Sequence, residues 1–175
     1  MDLHSNTGLP DKFDTGSIKI LAVKGQGLQN KEWTGQNDPY FCVDFGPYKE
    51  SSRTLNNAGN EVVWSDVDMV IEVDKKSLHD EKLIISVLDE NATRKDVALG
   101  YGVISVTQLC GAVGTEKNIR VDLSDNKGAT CGTLTVTAVL VPGAPQVTYD
   151  RYLPFSEISQ PADYVADCFC HEDNR

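Results

Sequence analysis

The stretch GTLTVTAVLV, residues 132–141, carries apolar side chains at alternate positions. They are Leu134, Val136, Ala138 and Leu140. Because successive side chains of a β-strand point to opposite faces, this alternation predicts a strand with one buried face. The stretch KLIISVL, residues 82–88, shows the same alternation at Leu83, Ile85 and Val87. Both stretches therefore predict strands that pack on a core through one face.

Eight short β-branched or alternating runs, separated by Gly, Asn, Asp and Pro, extend from Ile18 to Val141. They are residues 18–23, 40–45, 49–55, 62–73, 82–88, 99–106, 117–123 and 132–141. No long segment shows the apolar period of a helix. Two stacked antiparallel sheets bury the apolar faces of such runs. The sequence therefore predicts an all-β, eight-stranded antiparallel β-sandwich.

The composition changes on both sides of these runs. Residues 1–16 are polar and predict an N-terminal arm, and residues 17–141 form the predicted domain. Pro142, Gly143 and Pro145 end the last run. Residues 142–175 carry many aromatic and aliphatic side chains, so we expect this tail to pack on the sandwich or on a partner protein. The candidate partner contacts in the tail are Tyr149, Tyr152 and Phe155.

Charge and cysteine content narrow the classes of function. The formal net charge of -10 disfavours nucleic-acid binding, because phosphate backbones would be repelled. No stretch reaches the roughly 20 apolar residues of a membrane-spanning helix, and the first residues do not resemble a secretion signal. The 5 cysteines are odd in number and scattered, which indicates free thiols. We therefore expect a cytoplasmic protein, with peripheral membrane association left open.

Residues for catalysis do not form a recognisable arrangement. His4, His79 and His171 fall in the arm, in a loop and in the tail, so no nucleophile and base share an element. The sequence Cys168-Phe169-Cys170-His171 is a weak zinc signal, because no second ligand pair accompanies it. The sequence predicts neither an enzyme nor a small-molecule substrate.

Three local patterns, in the right order and between the right strands, resemble a C2 domain. Gly27-Leu28 followed by residues 34–40, TGQNDPY, is similar to the family's GL…GxSDPY. Residues 60–64, NEVVW, are similar to its NPVWNE. Residues 83–89, LIISVLD, are followed by Lys95-Asp96 and Leu99-Gly100. Together they resemble the family's LxIxVxDxD…KDDxLG. No strand-like run precedes Ile18. The resemblance therefore implies a C2-type sandwich of the circularly permuted, type II topology.

The resemblance also implies a calcium site between two loops at one end of the sandwich. The family's ligand positions fall on Glu32, Asp38, Asp89, Asn91 and Val97. Asp96 is the first candidate to replace Val97, with Glu90 and Asp66 as further candidates. Asn91 is neutral and Val97 offers no side-chain oxygen, whereas calcium takes six to eight oxygen ligands. We therefore expect weak calcium binding or none.

The same loops hold the candidate membrane contacts. Trp33 is at the tip of the first loop, where related proteins that insert into bilayers carry a large apolar residue. Arg94 and Lys95 in the third loop suit anionic headgroups. The family's lysine-rich strand maps to residues 49–53, KESSR, which has few cations and one acidic residue. Inositol-lipid recognition is therefore not predicted.

The sequence favours a non-catalytic C2 binding module that docks to a membrane or protein surface. Two other functions stay open. The chain could be a calcium-independent structural or scaffold subunit of a larger assembly, for example a cytoskeletal one. It could also be a fully calcium-dependent phospholipid-binding protein.

Overall fold

The computed structural model describes residues 15–31, 35–109 and 114–143. These residues form nine strands and two short helices. The strands are β1 (Thr15–Gln26), β2 (Pro39–Phe45), β3 (Tyr48–Ser51), β4 (Glu61–Trp64), β5 (Met69–Asp74), β6 (Lys82–Asp89), β7 (Val97–Ser105), β8 (Glu116–Ser124) and β9 (Thr130–Pro142). The helices are α1 (Lys75–Asp80) and α2 (Val106–Leu109). Among the described residues, no helix is long and apolar enough to cross a lipid bilayer.

All eight predicted runs coincide with strands, which confirms the predicted all-β fold. The fourth run, residues 62–73, is interrupted at residues 65–68 and forms both β4 and β5. These two strands pair with different parts of β1 and together behave as one bent strand.

The strands follow one curled, antiparallel path in the order β3-β2-β6-β7-β8-β9-β1-β4, with β5 also on β1. One half of the path consists of β3, β2, β6 and β7, and the other half contains β8, β9, β1, β4 and β5. Among the described strands, the backbone pairing that joins the halves is that of β7 with β8, at Tyr101 and Ser124. Residues before Thr15 lie outside the described ranges, so the type II topology and the domain limits stay predictions.

The core lies between the two halves. The predicted inward set on β9 (Leu134, Val136, Ala138 and Leu140) and that on β6 (Leu83, Ile85 and Val87) are fully buried. Phe41 on β2 and Trp64 on β4 meet edge to face, with ring centroids 5.1 Å apart and planes at 80°. This contact connects the two halves directly, because β2 and β4 belong to different halves. Trp64 is therefore a packing residue, as the sequence indicated.

The outer face of β2 and the part of β6 at Ser86 and Leu88 are also buried, which alternation alone does not predict. Tyr40, Cys42 and Leu88 form a second, smaller cluster there. Asp44 is 3% exposed on the same face and pairs with Lys49 at 3.2 Å. A buried carboxylate needs such a partner, because burial of an unpaired charge is costly. Cys42 and Cys131 are free and buried, in keeping with the expected thiols.

Replacement of Trp64 by Ala should lower the free energy of unfolding by about 3–5 kcal/mol, because it leaves a cavity beside Phe41. Urea denaturation measures this loss. The neighbouring Val63 points outward and is 54% exposed, so Val63→Ala should stay within about 0.5 kcal/mol of the parent. Equal losses in the two variants would contradict the assignment of Trp64 to the core.

Candidate functional site

Four connections meet at one end of the sandwich, which we call the loop end. They are residues 27–38 (L1), residues 52–60 (L2), residues 90–96 (L3) and the hairpin at residues 125–129. The strand register brings them together: Gln26 pairs with Thr133, Pro39 with Asp89, and Asp89 with Val97.

Asn37 organises L1 from inside. Its side chain is fully buried, its Nδ2 donates to the Gln29 carbonyl at 2.9 Å, and its Oδ1 accepts from the Lys31 amide at 3.0 Å. Its backbone carbonyl also accepts from the Ala58 amide in L2 at 3.0 Å. A buried amide with these partners is satisfied on both its donor and its acceptor side. Asn37 therefore fixes the path of L1 and its contact with L2.

Asp38 and Asp89 connect three loops. The Asp38 amide donates to Asp89 Oδ1 at 2.6 Å, and the Asp38 carbonyl accepts from the Glu90 amide at 3.0 Å. Asp38 Oδ1 accepts from the amide of Asn57 in L2. Asn57 has a φ of 51°, a left-handed conformation that Asn tolerates better than most residues. The two aspartates thus hold L1, L2 and L3 together through hydrogen bonds.

Asp96 closes L3 on itself and on the sheet. Its Oδ1 accepts from the Asn91 amide at 2.8 Å, and its Oδ2 accepts from the Tyr40 hydroxyl at 2.8 Å. Asn91 Nδ2 donates to the Asp89 carbonyl at 3.1 Å, and Asn91 Oδ1 accepts from Arg94 Nε at 3.2 Å. Both Asp96 oxygens and the Asn91 amide oxygen therefore take part in hydrogen bonds within the loop end.

The hairpin is held by Asp125, whose Oδ1 accepts from the amides of Lys127 and Ala129, each at 2.8 Å. These bonds, with the nearby Lys127 and Lys31 charges, hold the pKa of Asp125 below its usual value. Behind the hairpin, burial raises the pKa of the Cys131 thiol, which keeps it protonated and a poor metal ligand. Lys31 lies close enough to influence both groups, so L1 and the hairpin are neighbours.

Gly132 allows this approach. A Cβ at its position would lie 3.0 Å from the carbonyl oxygens of Gln26 and Gly27, and its φ of 133° also disfavours other residues. Glycine is therefore required where β9 begins beside the end of β1.

The structure brings four predicted metal ligands together: Asp38, Asp89, Asn91 and Asp96 all belong to the hydrogen-bond network of the loop end. Glu32 lies outside the described residues, and the ligand set stays a prediction. Asp66 instead pairs with Arg53 at 3.0 Å at the edge of the sandwich. Within residues 15–31, 35–109 and 114–143, no group of three or more His, Cys, Asp or Glu side chains is arranged to hold a metal ion.

Arg94 and Lys95 lie exposed in L3, as a membrane-contact role requires. Trp33 lies outside the described residues, and so do Tyr149, Tyr152 and Phe155. On the strand where the family carries lysines, Lys49 pairs with Asp44 and Arg53 pairs with Asp66. That surface therefore presents two neutralised cations.

Sequence reasoning missed Asn37 and the Tyr40 hydroxyl as organisers of the loops. Both belong to NDPY, residues 37–40, in which the resemblance implies a ligand role for Asp38 alone. The only sequence signal for these two roles is their position: Asn37 comes directly before Asp-Pro, and Tyr40 comes directly after it.

Comparison with known proteins decides the family. A sequence model described as C2 domain matches residues 16–121, which is more than half of the chain. The chain belongs to the C2 domain family. It superimposes on a C2 domain of plant Extended Synaptotagmin 1 with a TM-score of 0.59 and 14% identity, covering 76% of this chain and 98% of that one. Human GIVD cytosolic phospholipase A2 matches with a TM-score of 0.54 and 14% identity, over 74% of this chain and 16% of that one. At these identities the two structures support the C2 fold alone.

Curated relatives agree with the family. The chain is 27% identical over 103 residues to 16 kDa phloem protein 1 of Arabidopsis thaliana, covering 58% of this chain and 65% of that protein. It is 29% identical over 110 residues to the E3 ubiquitin-protein ligase Nedd-4 of Drosophila melanogaster, covering 57% of this chain and 10% of that protein. The match thus covers less than two thirds of either relative.

Replacement of Tyr40 by Phe should lower the free energy of unfolding by about 1–3 kcal/mol, because it removes a hydrogen bond to the charged Asp96. A double-mutant cycle with Asp96→Asn, followed by urea denaturation, measures the coupling between the two side chains. Tyr101→Phe on β7 serves as the control, since it removes a hydroxyl outside the loop end. Additive effects of the Tyr40 and Asp96 substitutions would contradict the interaction.

Proposed function

We propose that this protein is a non-catalytic docking module whose loop end contacts an anionic membrane surface through Trp33, Arg94 and Lys95, with calcium as a weak ligand at most. The observation that carries the proposal is the hydrogen-bond network of L1, L2 and L3. It organises the loop end by contacts within the protein and leaves the cations of L3 at the surface.

The carboxylates support the calcium part of the proposal. In this network, Asp38, Asp89 and Asp96 accept hydrogen bonds from backbone amides or from Tyr40. An ion that recruited these oxygens would compete with hydrogen bonds to charged groups, each of which contributes about 1.5–3 kcal/mol. The neutral Asn91 and the apolar Val97 supply little attraction to offset that competition.

The distribution of cations supports the choice of the loop end as the membrane contact. Lys49 and Arg53, which lie on the other lipid surface known for this family, are both paired with aspartates. Arg94 Nε donates to the side-chain amide oxygen of Asn91. Because Asn91 is neutral, this hydrogen bond does not cancel the positive charge of Arg94. Arg94 and Lys95 therefore offer exposed positive charge to an anionic surface at the loop end.

The non-catalytic part rests on the extent of the similarities. The matches to the ubiquitin ligase and the phospholipase A2 cover 10% and 16% of those proteins. Such short matches correspond to a shared C2 domain and carry no argument for their activities.

The double variant Arg94→Gln/Lys95→Gln should lose about 30-fold in affinity for vesicles containing phosphatidylserine, because each charge contributes about 1 kcal/mol near an anionic surface. Co-sedimentation at physiological salt, in the presence of a calcium chelator, measures this affinity. Trp33→Ala should reduce pelleting further, since an indole favours the interface.

Lys75→Gln/Lys76→Gln is the matched control, because it removes an adjacent pair of exposed lysines at the opposite end of the sandwich. Unchanged pelleting of the Arg94/Lys95 variant, or an equal loss in the control, would contradict the proposed contact. If the parent chain does not pellet at all, the scaffold alternative gains support and Tyr149, Tyr152 and Phe155 become the residues to substitute.

Calorimetric titration of the full chain with calcium should give no saturable binding with a Kd tighter than about 10⁻⁴ M. Asp89→Asn is the comparison variant, because it removes one central carboxylate. Micromolar binding that Asp89→Asn abolishes and that drives vesicle pelleting would instead identify a calcium-dependent phospholipid-binding protein.

A further inference from the structure

A cleft of 240 Å³ opens at the side of the sandwich, where β3 faces the link between β4 and β5. Its lining residues are Glu50, Ser51, Ser52, Arg53, Trp64, Asp66, Val67, Asp68 and Met69. Trp64 and Met69 are almost completely buried and form an apolar floor, whereas Glu50 and Asp68 are exposed at the rim. The cleft is separate from the loop network formed by Asp38, Asp89 and Asp96.

The outer edge of β3 runs along this cleft and has backbone groups that face away from the sheet. The amide of Ser52 donates to the Phe41 carbonyl at 2.8 Å, and Ser51 lies opposite Cys42. Because backbone groups along an antiparallel strand alternate in direction, the amide and carbonyl of Ser51 point away from β2. Among the described strands, β3 is the last in the order, and none pairs with its outer edge. Such an edge is a template for an added strand.

The charges around the cleft favour a cationic occupant. The positive charge of Arg53 is balanced by Asp66. Arg53 Nη2 lies 3.0 Å from Asp66 Oδ1, and Arg53 Nε donates to the same oxygen at 3.1 Å. The remaining rim charges are the carboxylates of Glu50 and Asp68, and within the described residues neither forms an ion pair with a cation. Lysine and arginine side chains combine an aliphatic stem with a charged head. Their stems suit the floor of Trp64 and Met69, and their heads suit this acidic rim.

We propose that the β3 edge binds an extended, basic segment of a partner protein. The segment adds a strand to β3 and places a Lys or Arg side chain in the cleft between Glu50 and Asp68. The net charge of -10 of the whole chain would also speed the encounter with a basic partner. This site shares no residue with the proposed membrane contact in L3, so the two proposals are tested by separate experiments.

A fluorescein-labelled, end-blocked octapeptide of alternating Lys and Val tests the proposal against the full chain by fluorescence anisotropy. Saturable binding is expected, and the matching Glu-Val peptide should not bind. Glu50→Gln/Asp68→Asn should weaken binding about tenfold, because two rim charges are lost. Glu116→Gln/Asp122→Asn, with the same change of charge on the exposed face of β8, should bind like the parent.

The position of the peptide is tested by NMR on the ¹⁵N-labelled chain, where the amides of Ser51 and Asp68 should shift most. Ser51→Pro removes the outward amide and should abolish binding; the Glu50/Asp68 variant keeps the test valid if this substitution prevents folding. An equal loss in the β8 control, or no saturable binding of the basic peptide, would overturn the proposal. Slow hydrogen exchange of the Ser51 amide in the free chain would also overturn it, because the edge would then be covered by another segment or a second copy.

Discussion

Contact between the two halves of the curled sheet depends on apolar side chains that each half directs at the other. Phe41 and Trp64 form one such link, because their rings meet edge to face across the core. The Trp64 indole also donates to the Arg53 carbonyl at 3.2 Å, so the same side chain anchors the segment that follows β3. The position of Arg53, which lies near the start of L2 and lines the cleft beside β3, therefore depends on the packing of Trp64.

Once the halves are packed, the loop end is organised by polar groups. Asn37 and Asp96 each bind a backbone amide of their own loop, and Asp38 and Asp89 connect neighbouring loops through backbone amides. Family members that bind calcium use carboxylates at such positions as ligands, and here the same groups make hydrogen bonds that define the loops. The loop end thus combines a rigid base with charged side chains at its surface, which is the arrangement a docking module needs.

The sequence predicts most of the fold, since the alternating residues of β6 and β9 occupy the buried face they indicate. It does not predict that β2 is buried on both faces, because the burial of Asp44 requires Lys49 on the neighbouring strand. In the same way, the motif places Asp38, Asp89 and Asp96 at one end, but not their hydrogen-bond partners. Asn57 and Tyr40 become partners only through the register of the folded strands. Pairings between residues distant in the chain are the part that a local pattern cannot supply.

The pairing of β1 with β9 has a consequence for biosynthesis. Gly16 lies opposite Pro142, and Gln26 lies opposite Thr133, so β1, an inner strand of its half, pairs with the last strand that the structure describes. Such nonlocal pairing slows folding. During translation, β1 emerges before β9 and keeps an apolar face exposed until β9 has been synthesised. Until then the nascent chain is open to aggregation and to chaperone binding through Ile18, Ile20 and Val23, which are fully buried in the folded domain.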